Sequence, residues 1–225
     1  MKYTFLALMT FACMGFANAS PVQMSIEETQ KLCDAENIRE CSNLGFFYQK
    51  GIETRQDYSK AIRYYTQACD GGYAVGCSNL GLMYRNGMGV KIDYPKAKKL
   101  FDKGCKGKDG FGCNNVGVEY YKGRGVKQDY LKSVTYYVKA CELNYGLGCR
   151  NAGLMYIKGS NIKTDYTKAR KMLIKACDKN DAKGCFYLGA IYKEGLGIKS
   201  NTKKALKYME KACNNGEVRA CRGMK

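Results

Sequence analysis

The chain has 225 residues and carries 38 Lys and Arg residues against 20 Asp and Glu residues, a formal net charge of +18. Thirteen residues are cysteine, whereas histidine and tryptophan do not occur. Because histidine is the commonest metal ligand and the commonest general base, this composition excludes catalytic and metal sites that depend on it. We expect neither a metal nor a cofactor.

The first nineteen residues have the pattern of a secretory signal peptide. Residues 5–17 form a largely apolar run, and residues 17–19 read A-N-A, which matches a signal peptidase site. The run is too short to span a bilayer, and no later stretch is apolar for long enough to do so. A lipoprotein would instead be acylated at Cys13. We expect cleavage after Ala19 and a secreted or periplasmic protein.

The remaining twelve cysteines form a strict pattern. They fall in pairs spaced by eight residues, and each pair begins 36 residues after the previous one. Periodicity of this length is typical of solenoid proteins built from short helical repeats. The pairs are Cys33 and Cys41, Cys69 and Cys77, Cys105 and Cys113, Cys141 and Cys149, Cys177 and Cys185, and Cys213 and Cys221.

The residues between the cysteines predict two helices in each repeat. In the second repeat, Leu80 and Tyr84 are four residues apart and so share one face of a first helix, helix A. Gly87 suits the left-handed end of that helix, and Asp93 is a competent N-cap for a second helix, helix B. A glycine also recurs inside helix A, as at Gly81, which predicts that another helix backbone approaches closely there.

This pattern predicts an all-α fold, an α/α solenoid of 36-residue helix-turn-helix repeats. Residues 20–40 form an N-terminal capping half-repeat with the character of a helix B, and residues 221–225 are a C-terminal stub. The five full repeats span residues 41–76, 77–112, 113–148, 149–184 and 185–220.

Disulfides are expected to cross-link the repeats. Helix B ends near the first cysteine of each pair and the next helix A begins near the second, so a tight turn brings the two within disulfide reach. We therefore pair Cys33–Cys41, Cys69–Cys77, Cys105–Cys113, Cys141–Cys149, Cys177–Cys185 and Cys213–Cys221. The rival connectivity would close disulfides within a repeat, as in Cys41–Cys69.

The unit L-G-x-x-Y-x-x-G-x-G-V-x-x-D-Y-x-K-A, read over residues 80–97, resembles the Sel1-like repeat, a relative of the tetratricopeptide repeat. With paired cysteines at the joints and a signal peptide, the chain is similar to the Helicobacter cysteine-rich protein (Hcp) family. That resemblance implies binding of β-lactams or cell-wall fragments, with weak β-lactamase activity as the alternative. The wider repeat superfamily implies a scaffold that binds peptides or proteins.

No catalytic residue can be assigned from the sequence. Two S-x-x-K strings, Ser160 to Lys163 and Ser200 to Lys203, resemble the start of a serine β-lactamase motif. Both lie in predicted loops, and neither S-D-N nor K-T-G accompanies them. They are therefore interpreted as solvated loops, although the hydrolase alternative stays open.

A binding surface is expected along the A helices. The position two residues after the second cysteine should form a ladder suited to a peptide backbone, or should bond to the adjacent repeat and hold the stack. Its members are Asn43, Asn79, Asn115, Asn151 and Tyr187. The same wall is expected to include Phe47, Met83, Glu119, Met155 and Ile191, followed by Lys50, Asn86, Lys122 and Lys158.

Basic residues concentrate on helix B, as at Lys96, Lys99 and Lys103. Such a face is usually solvated, but it would also attract acidic envelope or host partners, including anionic glycans. Taken together, we expect a monomeric scaffold for a peptide or protein ligand, such as a host or envelope protein, or for a β-lactam or peptidoglycan fragment. Neither nucleic acid nor a membrane is an expected partner.

Overall fold

The computed structural model describes residues 24–159 and 161–222. The expected signal peptide, Cys13 and Ser160 lie outside these residues. The described part of the chain forms twelve α-helices: α1 (Ile26–Asp34), α2 (Ile38–Lys50), α3 (Tyr58–Asp70), α4 (Ala74–Asn86), α5 (Tyr94–Lys106), α6 (Gly110–Lys122), α7 (Tyr130–Glu142), α8 (Gly146–Lys158), α9 (Tyr166–Asp178), α10 (Ala182–Glu194), α11 (Thr202–Asn214) and α12 (Val218–Arg222).

The helices alternate between the two predicted types. The even-numbered helices α2 to α10 are A helices, and the odd-numbered helices α3 to α11 are B helices. α1 occupies the place of a helix B without its partner, and α12 is the short start of a further helix A. Every described helix is too short or too polar to span a lipid bilayer. The predicted all-α solenoid is confirmed.

Each connection from helix A to helix B is closed in the same way. Helix A ends at a glycine in the left-handed conformation, such as Gly87 with φ of 67°. Helix B starts at an N-cap side chain, as where Asp93 accepts a hydrogen bond from the Lys96 backbone N–H at 2.8 Å. The Asp93 N–H also donates to the carbonyl of Tyr84 at 3.0 Å. These contacts fold the two helices back on each other as a hairpin.

The glycine inside each helix A makes room for a side chain rather than principally for a backbone. A Cβ at Gly81 would lie 2.9 Å from the ring of Phe101, and the nearest backbone atom is the Ala97 carbonyl oxygen at 3.1 Å. At Gly45 the neighbour is the ring of Tyr65, at 2.7 Å. The expected close approach therefore exists, but a large residue of helix B fills most of the space.

Small residues and disulfides hold successive repeats together. A Cβ at Gly76 would lie 2.6 Å from the Cβ of Ala68, so helix B meets the next helix A at close range. The six disulfides bridge these joints with Cα–Cα distances from 4.4 Å to 4.9 Å. They are Cys33–Cys41, Cys69–Cys77, Cys105–Cys113, Cys141–Cys149, Cys177–Cys185 and Cys213–Cys221, and the rival pair Cys41–Cys69 is not formed.

Candidate functional site

The A helices lie side by side, and their side chains meet across the joints. Arg85 of α4 donates a hydrogen bond to the Asn115 side chain of α6. Asn151 of α8 donates from Nδ2 to Oδ1 of Asn114 in α6, at 2.9 Å. This layer of A helices, α2 to α10, is the surface on which the binding ladder was expected, and we call it the A layer.

The structure separates the predicted ladder residues into different environments. Asn43 is exposed and donates to the Glu40 carboxylate at 2.8 Å, within its own helix. Asn79 is half-buried. Tyr187 is also half-buried, and the guanidinium of Arg219 lies 6.0 Å from its ring centre. The Asn43 amide, the Asn79 side chain and the Tyr187 ring remain partly accessible to a ligand.

Two ladder amides are engaged inside the protein. Asn115 is only 3% exposed, donates to the carbonyl of Phe111 at 2.8 Å and accepts from Arg85. Asn151 uses its Nδ2 to reach Asn114 of the preceding repeat. At these two positions the asparagine bonds to the adjacent repeat and stabilises the stacking of repeats, which was the alternative to ligand binding. Of the two, only Asn151 keeps its side-chain oxygen available to another partner.

The row of residues six positions after the second cysteine is not part of an open wall. All five members are buried between neighbouring helices. The expected wall position is therefore wrong for Met83, Glu119 and Ile191, whereas Phe47 and Met155 border pockets on the A layer. Their exposed fractions run from 0% to 8%: Phe47, Met83, Glu119, Met155 and Ile191. By contrast, the residues near the ends of the A helices are exposed as expected: Lys50, Asn86, Lys122 and Lys158.

Glu119 is the exception within this buried row. Its carboxylate is fully buried, and neither oxygen has a hydrogen bond among the described residues. The nearest cation is Arg85, whose Nη1 lies 3.8 Å from Oε1. Burial raises the pKa of Glu119, against the opposing effect of Arg85 and Arg124. Burial likewise lowers the pKa of Arg85. The joint between repeats 2 and 3 thus contains a desolvated charge pair.

A pocket of about 190 Å³ opens on the A layer in the next joint, and we call it the Asn151 pocket. It combines an amide, an ammonium group, two phenols and an apolar surface. Burial raises the pKa of Tyr137 to about 12, so its hydroxyl remains protonated at neutral pH. The lining residues are Tyr121, Tyr137, Asn151, Leu154, Met155 and Lys158.

A second pocket, of about 270 Å³, lies on α1 and α2 at the N-terminal end of the A layer. Phe46 lines it and is 45% exposed, an unusual state for a large aromatic side chain. Asn43 lines it as well. Two of the five predicted ladder residues therefore border cavities. Sequence reasoning missed the cavities themselves, because they depend on how adjacent helices are spaced.

The repeat pattern also matches a known family. A family model described as the Sel1 repeat matches residues 41–73, 74–109, 110–145, 146–181 and 182–217. The chain belongs to the Sel1 repeat family. From the second match onward, the segments begin at helix A, three residues before the cysteine at which we divided the repeats.

Solved structures of Sel1 repeat proteins are similar to this one. A Sel1 repeat protein from Oxalobacter formigenes is 30% identical over 87% of this chain and 86% of its own, with a TM-score of 0.77. Cysteine-rich protein B of Helicobacter pylori is 39% identical over 62% of this chain and 99% of its own, with a TM-score of 0.48. No curated protein sequence matches this chain significantly.

In this Sel1 repeat protein, the S-x-x-K strings lie at the surface where they are described. Ser200 is exposed just before the N-cap Asn201, and Lys203 is exposed in the first turn of α11. Lys163 is exposed in the turn before α9. Among the described residues, no group of three Cys, Asp or Glu side chains could hold a metal ion.

Proposed function

We propose that this protein is a binding scaffold that captures an extended segment of a partner protein on the A layer, centred on the Asn151 pocket. The observation that carries the proposal is the composition of this pocket, in which polar groups surround an apolar surface. Binding sites of proteins commonly have this character. Sel1 repeats generally mediate protein–protein interaction, which agrees with this proposal.

The pocket defines the chemistry of the segment. Nδ2 of Asn151 is engaged with Asn114, so Oδ1 is the atom that would accept a backbone N–H of the ligand. Lys158 is exposed and would pair with a carboxylate. Leu154 and Met155 supply apolar contact. The expected ligand therefore places an acidic side chain or a C-terminal carboxylate next to an apolar residue.

Peptides selected from a random library test the proposal. We expect peptides selected on the oxidised protein to carry the acidic and apolar pair. Leu154→Arg should weaken their binding by about tenfold or more, since it fills the pocket and replaces the apolar contact with a charged side chain. Leu131→Arg is the matched control, because Leu131 is 64% exposed on α7, outside the pocket. Equal binding by both folded variants would refute the assignment of the site.

The accessible ladder residues extend the proposal along the A layer. Asn43 and Asn79 could each bond to a ligand backbone, whereas the side chain of Asn115 is already satisfied internally. Replacing Asn79 by Ala should therefore reduce peptide affinity with little loss of stability. Replacing Asn115 by Ala should reduce stability instead, and the reverse result would favour a binding role for Asn115.

The resemblance to Hcp proteins supports a second proposal, in which the same pocket binds β-lactams or cell-wall fragments. A β-lactam carries a carboxylate and amide groups, for which Lys158 and Asn151 are suitable partners. Slow hydrolysis is the alternative. Turnover of a chromogenic β-lactam that survives repurification and is lost in Lys158→Gln would favour the hydrolase. Stoichiometric binding without turnover favours the scaffold, and absence of both removes the β-lactam proposal.

The location of the protein follows from its cysteines. Six disulfides in a chain of this size fit an extracytoplasmic protein, because reducing compartments keep thiols free. We further propose export by the N-terminal signal with cleavage after Ala19. A mature chain whose mass corresponds to a start at Ser20 is the expected result, and a retained N-terminus would contradict it.

A further inference from the structure

We propose that the outer face of the B helices binds a linear sulfated polysaccharide. This surface is separate from the A layer, and its partner differs in chemical class from the proposed peptide. Three positions of helix B define this face, and they lie 19, 22 and 26 residues after the second cysteine of each pair. Their spacing of three and then four residues places them on one face of each helix.

Basic residues occupy thirteen of these fifteen positions, and the exceptions are Gln67 and Thr135. We call the set the basic face. Fourteen members are exposed, Lys211 being half-buried. The members, helix by helix, are Lys60, Arg63 and Gln67; Lys96, Lys99 and Lys103; Lys132, Thr135 and Lys139; Lys168, Lys171 and Lys175; and Lys204, Lys207 and Lys211.

The first row of the basic face is held in a recurring arrangement. In every repeat, the lysine lies over the ring of the tyrosine that ends helix A, and Nζ is 4.0 Å from the ring centre for Lys96 on Tyr84. The other four distances run from 4.8 Å to 5.5 Å. Such cation–π contacts restrict the ammonium groups to one side of the helix. The row therefore presents one positive charge per repeat.

Acidic residues border the basic face but do not interrupt it. At the start of the helices, the N-cap carboxylates of Asp129 and Asp165 lie 3.6 Å and 3.5 Å from Lys132 and Lys168. These carboxylates offset the charge of the two lysines, so the other members of the basic face carry more of its net positive charge. Exposed acids also follow at the ends of three B helices, at Asp70, Glu142 and Asp178. The thirteen basic residues thus form a continuous band across five repeats, with acidic residues at its margins.

The composition of the band favours a sulfated polymer over other polyanions. None of the fifteen positions is apolar or aromatic, and lysines cover the tyrosine rings beside the first row. The face therefore presents no apolar side chain of its own to a bilayer and no uncovered ring to a nucleobase. Twelve of the thirteen basic residues are lysine, whose flexible point charges can adjust to the spacing of anionic groups along a linear polymer. A polymer with closely spaced sulfates matches such charges.

Binding of a heparin-derived dodecasaccharide to the oxidised full chain tests the proposal. The triple variant Lys99→Gln, Lys171→Gln and Lys207→Gln removes three of the four basic residues in the middle row and keeps Arg63. The control variant Lys50→Gln, Lys122→Gln and Lys193→Gln removes three exposed lysines from the A helices, so both variants lose the same net charge. Circular dichroism and thermal unfolding establish that both variants are folded.

We expect the face variant to bind the dodecasaccharide about tenfold more weakly or worse, and the control to bind within about twofold of the wild type. Because each ammonium contact releases roughly one counterion, the slope of log Kd against log salt should fall by about three in the face variant only. An equal loss of affinity in both variants would show that binding depends only on net charge and would overturn the proposal. Absence of binding by the wild type would overturn it as well.

Vesicles of phosphatidylcholine with a quarter phosphatidylserine distinguish the source of the anions. We expect the vesicles to bind much more weakly than the dodecasaccharide. If the vesicles bind as tightly and the face variant loses that binding too, the basic face is a membrane surface and the polysaccharide assignment is wrong.

Discussion

The joint between repeats 2 and 3 differs in polarity from the joint between repeats 3 and 4, although the two share one backbone geometry. At the position six residues after the second cysteine, the first joint buries the carboxylate of Glu119 and the second buries Met155. Arg85 faces Glu119 across the first joint. The corresponding residue before Met155 is Tyr121, which lines the Asn151 pocket.

This difference separates the residues that determine how successive repeats stack from the residues that determine the polarity of each joint. Both joints have a disulfide with Cα atoms 4.4 Å apart. Both also place small residues where helix B meets helix A, as at Ala140 and Gly148. Repeat geometry therefore depends on the common residues. The variable residues decide whether a joint contains a buried charge pair or an open pocket.

Removing a disulfide from either joint tests this division and should have the largest effect. We expect Cys105→Ala with Cys113→Ala, and Cys141→Ala with Cys149→Ala, each to reduce the free energy of unfolding by about 2–3 kcal/mol. The losses should match because both disulfides close loops of the same length. Urea unfolding measures them, and losses that differ by more than about 1 kcal/mol would contradict a common stacking role.

Replacing the buried carboxylate should remove the difference between the joints. Glu119→Met with Arg85→Tyr copies Met155 and Tyr121 of the next joint and replaces both members of the ion pair. We expect this double variant to gain about 1–2 kcal/mol at pH 7, because a buried ion pair rarely repays its desolvation. The pKa of Glu119 is raised in the folded protein, so its protonated form is favoured by folding. Wild-type stability should therefore decrease as the pH rises through that raised pKa.

The advantage of the double variant should accordingly be greatest at pH 7 and shrink toward pH 4, where most of the Glu119 side chains are protonated in both states. Unfolding curves at both pH values measure it. Glu119→Gln is the control, since it removes the charge but keeps a polar group in the joint. A double variant that is less stable than the wild type at pH 7 would show that the Glu119–Arg85 pair is net stabilising.

The smallest effect concerns a polar contact within a single repeat. The Tyr65 hydroxyl donates to Oε1 of Gln49 at 2.6 Å in repeat 1, where both side chains are buried. Repeat 2 has Phe101 in place of Tyr65 and so lacks the hydroxyl. Tyr65→Phe should cost about 1 kcal/mol, since it leaves Gln49 without this donor. Thermal unfolding measures the loss, and an unchanged midpoint would mean that solvent replaces the bond.

The sequence predicted the fold well because the boundaries of the helices in each repeat are marked by residues within that repeat. The phase of the cysteines, the N-cap at Asp93 and the left-handed Gly87 are local signals that recur five times, and the structure agrees with them. A disulfide between residues eight apart is likewise a local feature. Such signals need no knowledge of the neighbouring repeat.

The site was predicted less well because it lies between repeats. On a single helix, Asn115 and Glu119 share a face with exposed residues and were both expected on a wall. Their burial depends on Arg85 and the preceding repeat, which a pattern within one unit does not include. The internal glycines misled for a different reason, since the ring that covers Gly81 is Phe101, on the second helix of the same repeat.

The proposal that the A layer binds a partner segment is tested most directly by amide chemical shifts of the ¹⁵N-labelled oxidised protein, titrated with a library-selected peptide. We predict shifts concentrated on α6 and α8, at Tyr121, Asn151 and Lys158, with the outer faces of α7 and α9 unchanged. Shifts confined to the B helices would contradict the account.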